Sequence, residues 1–126
     1  MFFKTLGLAA ALVLASAIPA FASNCSEPIA PAAIDGKTAT TAQMNAMHDD
    51  VMTFLKQSDD YQLCLLNELK AANDAAVKAK KDPDPALDAD TKAKIQKNQS
   101  LKEKVGAEFN SAVIAYKKAH QTPQAQ

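Results

Sequence analysis

The sequence contains no arginine: all 14 of its basic residues are lysine, and 14 acidic residues balance them. Lysine is a flexible, strongly hydrated point charge, and it lacks the planar fork with which arginine recognises phosphate groups and base edges. A balanced mixture of charges also lacks the basic patch that nucleic-acid binding requires. We therefore predict that nucleic acid is not a partner of this protein.

Glycine and histidine are also scarce, with 3 and 2 residues in the whole chain. So few glycines cannot form a glycine-rich phosphate-binding loop. Only His48 and His120 could act as bases near neutral pH, and His120 lies close to the C-terminus. Ser58 lies among aromatic residues, with no histidine expected beside it to activate the hydroxyl group. The sequence predicts no enzyme activity and no cofactor.

Residues 1–22 have the pattern of a signal peptide that is removed on export. Lys4 supplies the positive charge, residues 6–18 form an apolar run, and residues 20–22 match the small-x-small cleavage pattern. The run is too short for a membrane-spanning anchor, so no integral anchor is expected after cleavage. Removing 22 of 126 residues leaves 104, enough for one domain. We predict a periplasmic or secreted protein.

The two cysteines, Cys25 and Cys64, are predicted to form a disulfide because export leads to an oxidising compartment. Residues 23–40 include prolines and show no helical periodicity, so they are predicted to form an extended arm. Fully extended, the arm spans up to about 50 Å, whereas Cys64 lies about 35 Å along the following helix. The arm can therefore fold back, with Ile29 and Ile34 as the expected contacts.

Residues 41–120 are predicted to form a helical hairpin. Thr40 and Gln43 have capping-box spacing, and apolar residues then recur at steps of three and four. The first helix is expected from about Thr41 to about Lys81. A turn follows at 82–87, the second helix begins near Asp88 or Asp90, and residues 121–126 form a disordered tail.

The predicted fold is all-α: a long, antiparallel, coiled-coil-like two-helix hairpin with a disulfide-tethered N-terminal arm. Each helix carries one apolar stripe, and the two stripes match if Pro85 lies at the centre of the turn. The predicted facing pairs are Phe54 with Tyr116, Ser58 with Ala112, Tyr61 with Phe109, Leu65 with Val105, and Leu69 with Leu101.

An apolar flank on the first helix gives the leading functional prediction. It consists of Met52, Leu55, Leu63 and Leu66, and a single partner helix cannot cover it. We therefore predict a non-catalytic protein that binds a protein partner or itself through helix surfaces. A peripheral protein of the cell envelope is another alternative.

Metal binding is a further alternative, carried by Met44, Met47 and His48. Thioether and imidazole groups on neighbouring turns are soft ligands that suit Cu(I). Both methionines also lie on the apolar stripe, where methionine commonly fills gaps in a core. The alternative function is thus a periplasmic copper-binding protein.

The chain contains, in order, Cys25-Ser26-x-Pro28, Asp35-Gly36, Met44 and Tyr61-x-x-Cys64-Leu65, followed by a lysine- and alanine-rich helical segment. This order of motifs resembles that of a group of short exported helical proteins of proteobacteria. It implies an exported helical protein with a paired cysteine. It implies no activity and no site residues.

Overall fold

A computed structural model describes residues 23–121, which fold as an antiparallel pair of helices. Helix α1 spans Thr41–Lys78 and helix α2 spans Pro85–Ala119, and the range between residues 23 and 121 contains no strand. The two helices pack against each other along their length. The predicted all-α hairpin is confirmed, whereas the predicted signal peptide and the tail beyond Gln121 lie outside the described residues.

Helix α1 begins with the predicted capping box. The Gln43 amide donates to the Thr40 hydroxyl at 3.2 Å, and the Thr40 amide donates to the Gln43 side-chain carbonyl at 2.8 Å. Two amides that the first turn leaves without helical partners are thereby satisfied. The start of α1 at Thr41 was therefore correctly predicted from local chemistry.

Helix α1 ends at Lys78, not at Lys81 as predicted. Lys80 adopts a left-handed conformation with φ 55°. The amide of Lys81 donates to the Ala76 carbonyl at 2.9 Å, and that of Lys80 donates to the Val77 carbonyl at 3.0 Å. These two bonds form a Schellman motif, which closes the helix before the prolines that follow are reached.

Helix α2 begins at Pro85, earlier than the predicted start near Asp88 or Asp90. Asp84 caps it, accepting a hydrogen bond from the Ala86 amide at 2.9 Å. Proline is well suited to the first helical position because an amide there would have no helical partner. The connection therefore occupies residues 79–84 and not 82–87.

The helices pack in a register that differs from the predicted one. Ser58 contacts Asn98, not Ala112, a difference of about four turns along α2. The assumption that Pro85 lies at the centre of the turn was wrong, since Pro85 is the first residue of α2. Three contacts define the observed register: Thr41 with Tyr116, His48 with Phe109, and Ser58 with Asn98.

A buried polar contact lies in the middle of the helix–helix seam. The Asn98 side-chain amide donates to the Ser58 hydroxyl at 3.2 Å, and both side chains are fully buried. The Gln62 amide group donates to the Asn98 side-chain carbonyl at 2.8 Å. A buried amide in a coiled-coil seam favours the register in which its hydrogen bonds form. The polar contact therefore selects the observed register over the apolar-only alternative.

The hydrophobic core lies at the end of the hairpin away from the connection. Phe54 is its most buried large side chain, with 2% of its surface exposed. The side chains of Leu101, Phe109, Val113 and Tyr116 pack against the core but remain partly exposed. The buried members are Ala39, Met44, Met47, Val51, Phe54, Val105 and Ala112.

The N-terminal arm runs along one side of the seam and contacts both helices. The Cys25–Cys64 disulfide joins it to α1 with a Cα–Cα distance of 5.8 Å, and Glu27 pairs with Lys97 of α2 at 2.8 Å. The predicted disulfide is thus confirmed. Of the two residues predicted to contact the helices, Ile34 packs against the core, whereas Ile29 is 91% exposed.

Gly36 marks the closest approach of the arm to α2. A Cβ atom at Gly36 would collide with the Ala112 carbonyl oxygen and would lie 2.9 Å from the Tyr116 amide nitrogen. Its backbone φ is not in the left-handed range, so the position requires glycine for space and not for conformation. Gly106 in α2 is different, because a Cβ atom there would contact nothing within 4 Å.

The two glycines give a matched pair of alanine substitutions with opposite expected effects. Gly36→Ala should lower the free energy of unfolding by about 1–3 kcal/mol, since the backbone of α2 must move to admit the methyl group. Gly106→Ala should raise it by about 1 kcal/mol through helix propensity. Urea denaturation of both variants measures the two changes, and equal effects would contradict the close approach of the arm to α2.

Candidate interaction surface

Four large apolar side chains are exposed on one face of α1, which we call the outer face. Met52, Leu63, Leu66 and Val77 expose 54%, 58%, 50% and 66% of their surfaces. They share a face because Leu63 follows Met52 and Val77 follows Leu66 by three helical turns. Single exposed apolar residues are ordinary, whereas four aligned on one helix form a candidate binding surface.

The outer face includes most of the predicted interface. Met52, Leu63 and Leu66 are exposed as expected, whereas Leu55 lies at the edge of this face and packs partly against the core. Val77 belongs to the outer face but was not predicted. Val77 follows Leu66 at the same spacing at which Leu63 follows Met52. This repeat in the sequence places Val77 on the same helix face as the other three residues.

Charged side chains lie among and around the apolar residues of the outer face. Lys70 pairs with Asp74 at 2.6 Å, and Asp59 accepts a bond from Lys102 of α2. Lys70 and Asp74 are both more than half exposed, so their pair adds little stability to the fold. Asp59 is 67% exposed beside the largely buried Lys102, so its carboxylate still faces solvent on the outer face.

Comparisons with protein-family models, with curated proteins and with solved structures returned no match. Within residues 23–121, none of the helices is both long and apolar enough to cross a membrane. The disulfide bears on location, since disulfide bonds persist in oxidising, non-cytoplasmic compartments.

The predicted copper ligands lie near the start of α1. Met44 and Met47 are 8% and 5% exposed and belong to the hydrophobic core. The His48 ring is at the surface, where its Nδ1 lies 3.2 Å from an Asp49 carboxylate oxygen and its centre 5.9 Å from that of Phe109. The two thioethers therefore serve in packing, which is the common role of methionine in cores.

A second cluster, which the sequence did not predict, surrounds the disulfide. Glu68 accepts hydrogen bonds from the Ser23 hydroxyl at 2.7 Å and from the Asn24 amide at 2.8 Å. A Glu68 carboxylate oxygen and the sulfur atoms of Cys25 and Cys64 lie within 4.8 Å of one another. Because the sulfurs are bonded to each other, they are not the thiolates that a metal ion would require. Glu68 thus fastens the start of the arm to α1.

A cleft of about 510 Å³ lies beside the disulfide, between the arm and α1. No histidine lines it, and its carboxylates are paired: Glu27 with Lys97, and Asp60 with Lys56. The hydrogen bonds raise the pKa of both lysines, and burial together with the Glu27 charge raises the pKa of Tyr61. Tyr61 and the two lysines therefore hold their protons more firmly than usual, so none of the three is a base near neutral pH.

Proposed function

We propose that this is an exported, periplasmic or secreted binding protein, without catalytic activity, that associates with a protein through the outer face of α1. The observation that carries the proposal is the alignment of Met52, Leu63, Leu66 and Val77, each half or more exposed. Apolar area of this kind is stabilising when a protein partner removes it from water. The exposed face is therefore the functional surface.

The rest of the molecule is suited to presenting that face rigidly. The disulfide, the Glu68 contacts and the close approach at Gly36 fasten the arm to the other side of the hairpin. The arm therefore fills one side of the seam and leaves the outer face of α1 uncovered. A rigid helix loses little conformational entropy on binding, which favours affinity.

Site-specific photo-crosslinking in the exporting cell tests the proposal. A photoreactive phenylalanine analogue in place of Leu63 should give a discrete covalent adduct with a protein. The same analogue in place of Ile114, which is 68% exposed on α2, should give none. Absence of an adduct from position 63, or equal adducts from both positions, would contradict the assignment of the outer face.

A further inference from the structure

We propose that the partner of the outer face is a second copy of this chain, bound through an antiparallel α1–α1 contact. This inference rests on the proposed function and names its partner. The two helices would be related by a two-fold axis passing beside the midpoint between Cys64 and Leu65. The proposal rests on the order, exposure and charge of six side chains on one face of α1: Met52, Asp59, Leu63, Leu66, Lys70 and Val77.

The six residues are arranged symmetrically along α1. Leu63 and Leu66 are equally distant from the midpoint between Cys64 and Leu65. The same holds for Asp59 with Lys70, and for Met52 with Val77. A two-fold axis perpendicular to a helix reverses the direction of the second copy, so each residue meets the one at equal distance on the other side.

The symmetry brings together like side chains where contact is apolar. Leu63 of one copy meets Leu66 of the other, which forms a central four-leucine layer across the axis. Met52 of one copy meets Val77 of the other at each end of the contact. All four of these apolar side chains are half or more exposed in the single chain, so the contact buries surface that the hairpin leaves in water.

The symmetry also places opposite charges together. Asp59 of one copy meets Lys70 of the other, twice in the dimer, and their side chains are 67% and 74% exposed in the single chain. Each is already paired within its own chain, Asp59 with Lys102 and Lys70 with Asp74. On either side of the leucine layer, association therefore places the Asp59–Lys102 pair of one copy next to the Lys70–Asp74 pair of the other. Positive and negative side chains then alternate along the row.

The charges discriminate against the parallel arrangement. In a parallel pair Asp59 would meet Asp59, and Lys70 would meet Lys70, so like charges would face each other on both sides of the contact. Among residues 23–121, the other large apolar side chains that are mostly exposed, Ile29 and Ile114, lie outside α1. The antiparallel pairing through α1 is therefore favoured.

Cysteine crosslinking between two single variants tests the arrangement. Leu63→Cys protein mixed with Leu66→Cys protein should give a disulfide-linked heterodimer under mild oxidation, as should Met52→Cys mixed with Val77→Cys. Met52→Cys protein alone should not crosslink, because its two copies lie about 37 Å apart along an antiparallel pair. Ile114→Cys protein is the control for random crosslinking and for exchange with the native disulfide.

Charge exchange gives an independent readout. Asp59→Lys should weaken the dimer by about tenfold, because two attractive pairs become repulsive. The double variant Asp59→Lys/Lys70→Asp should recover most of that loss, although both variants lose the Asp59–Lys102 pair and the double variant also loses the Lys70–Asp74 pair. Failure of the double variant to recover would overturn the pairing of these residues.

The outcomes separate this inference from the proposed function. Crosslinking of Met52→Cys protein to itself, or a wild-type chain that stays monomeric, overturns the antiparallel dimer. If the wild type is monomeric while the photoreactive group at position 63 captures a different protein, the proposed function stands and this inference fails. If position 63 captures nothing and the wild type is monomeric, both fail.

Discussion

Reduction of the Cys25–Cys64 disulfide is expected to lower the free energy of unfolding by up to about 4 kcal/mol. The bond closes a loop with a sequence separation of 39 residues, and the chain-entropy relation gives this value for such a loop. For a domain of this size the melting temperature should fall by roughly 15–30 °C. The exposed Glu27–Lys97 pair adds little to the attachment of the arm near the disulfide.

A variant with Cys25→Ser and Cys64→Ser separates the bond from side effects of the reductant. Its thermal unfolding, followed by circular dichroism, should match that of the reduced wild type and should not respond to reductant. A wild-type melting temperature that reductant changes by only a degree or two would show that the arm is held mainly by its packing.

Phe54→Ala should be the most destabilising single substitution in the core, lowering the free energy of unfolding by about 3–5 kcal/mol. Phe54 is 2% exposed and packs in the cluster that joins both helices to the arm. Removing its ring forfeits burial and leaves a cavity among the remaining side chains. Urea denaturation at low temperature measures the loss.

Phe109→Ala is the matched control, since the same atoms are removed from a less buried position. Phe109 packs against the core but is partly exposed, and its ring contacts the surface residue His48. The expected cost is less than half that of Phe54→Ala. Equal costs would favour the register read from the sequence, in which Phe109 and Tyr61 form a buried layer.

Local features of this fold could be predicted from the sequence because neighbouring residues determine them. The amphipathic pattern predicted the two helices, and the capping box at Thr40 predicted the start of α1. The ends of the helices at the turn were harder to predict. Lys80 adopts a left-handed conformation that usually favours glycine, and Pro85 could either follow a helix or begin one.

The register could not be predicted from apolar residues alone. In α2 the four buried residues are Thr91, Asn98, Val105 and Ala112, which recur every seven positions. Two of them are polar, so the pattern of apolar residues alone does not reveal this heptad. The hydrogen bond between Asn98 and Ser58 favours the observed register, which the apolar stripes alone do not distinguish from the predicted one.

The candidate surface was largely predictable, whereas the contacts of the arm were not. Exposure of Met52, Leu63 and Leu66 follows from their position on a helix with one partner. The roles of Glu68 and Gly36 depend on where an extended segment without periodicity meets the helices. Such contacts between distant parts of the chain leave no regular pattern in the sequence.

Sedimentation equilibrium most directly tests the claim that the outer face of α1 binds a second copy. The wild-type protein should have the mass of a dimer, with dissociation at low concentration. A variant carrying both Met52→Lys and Leu63→Lys should have the mass of a monomer while its helical content, measured by circular dichroism, is unchanged. A wild type that remains monomeric at every concentration, or a double variant that remains dimeric, would contradict the claim.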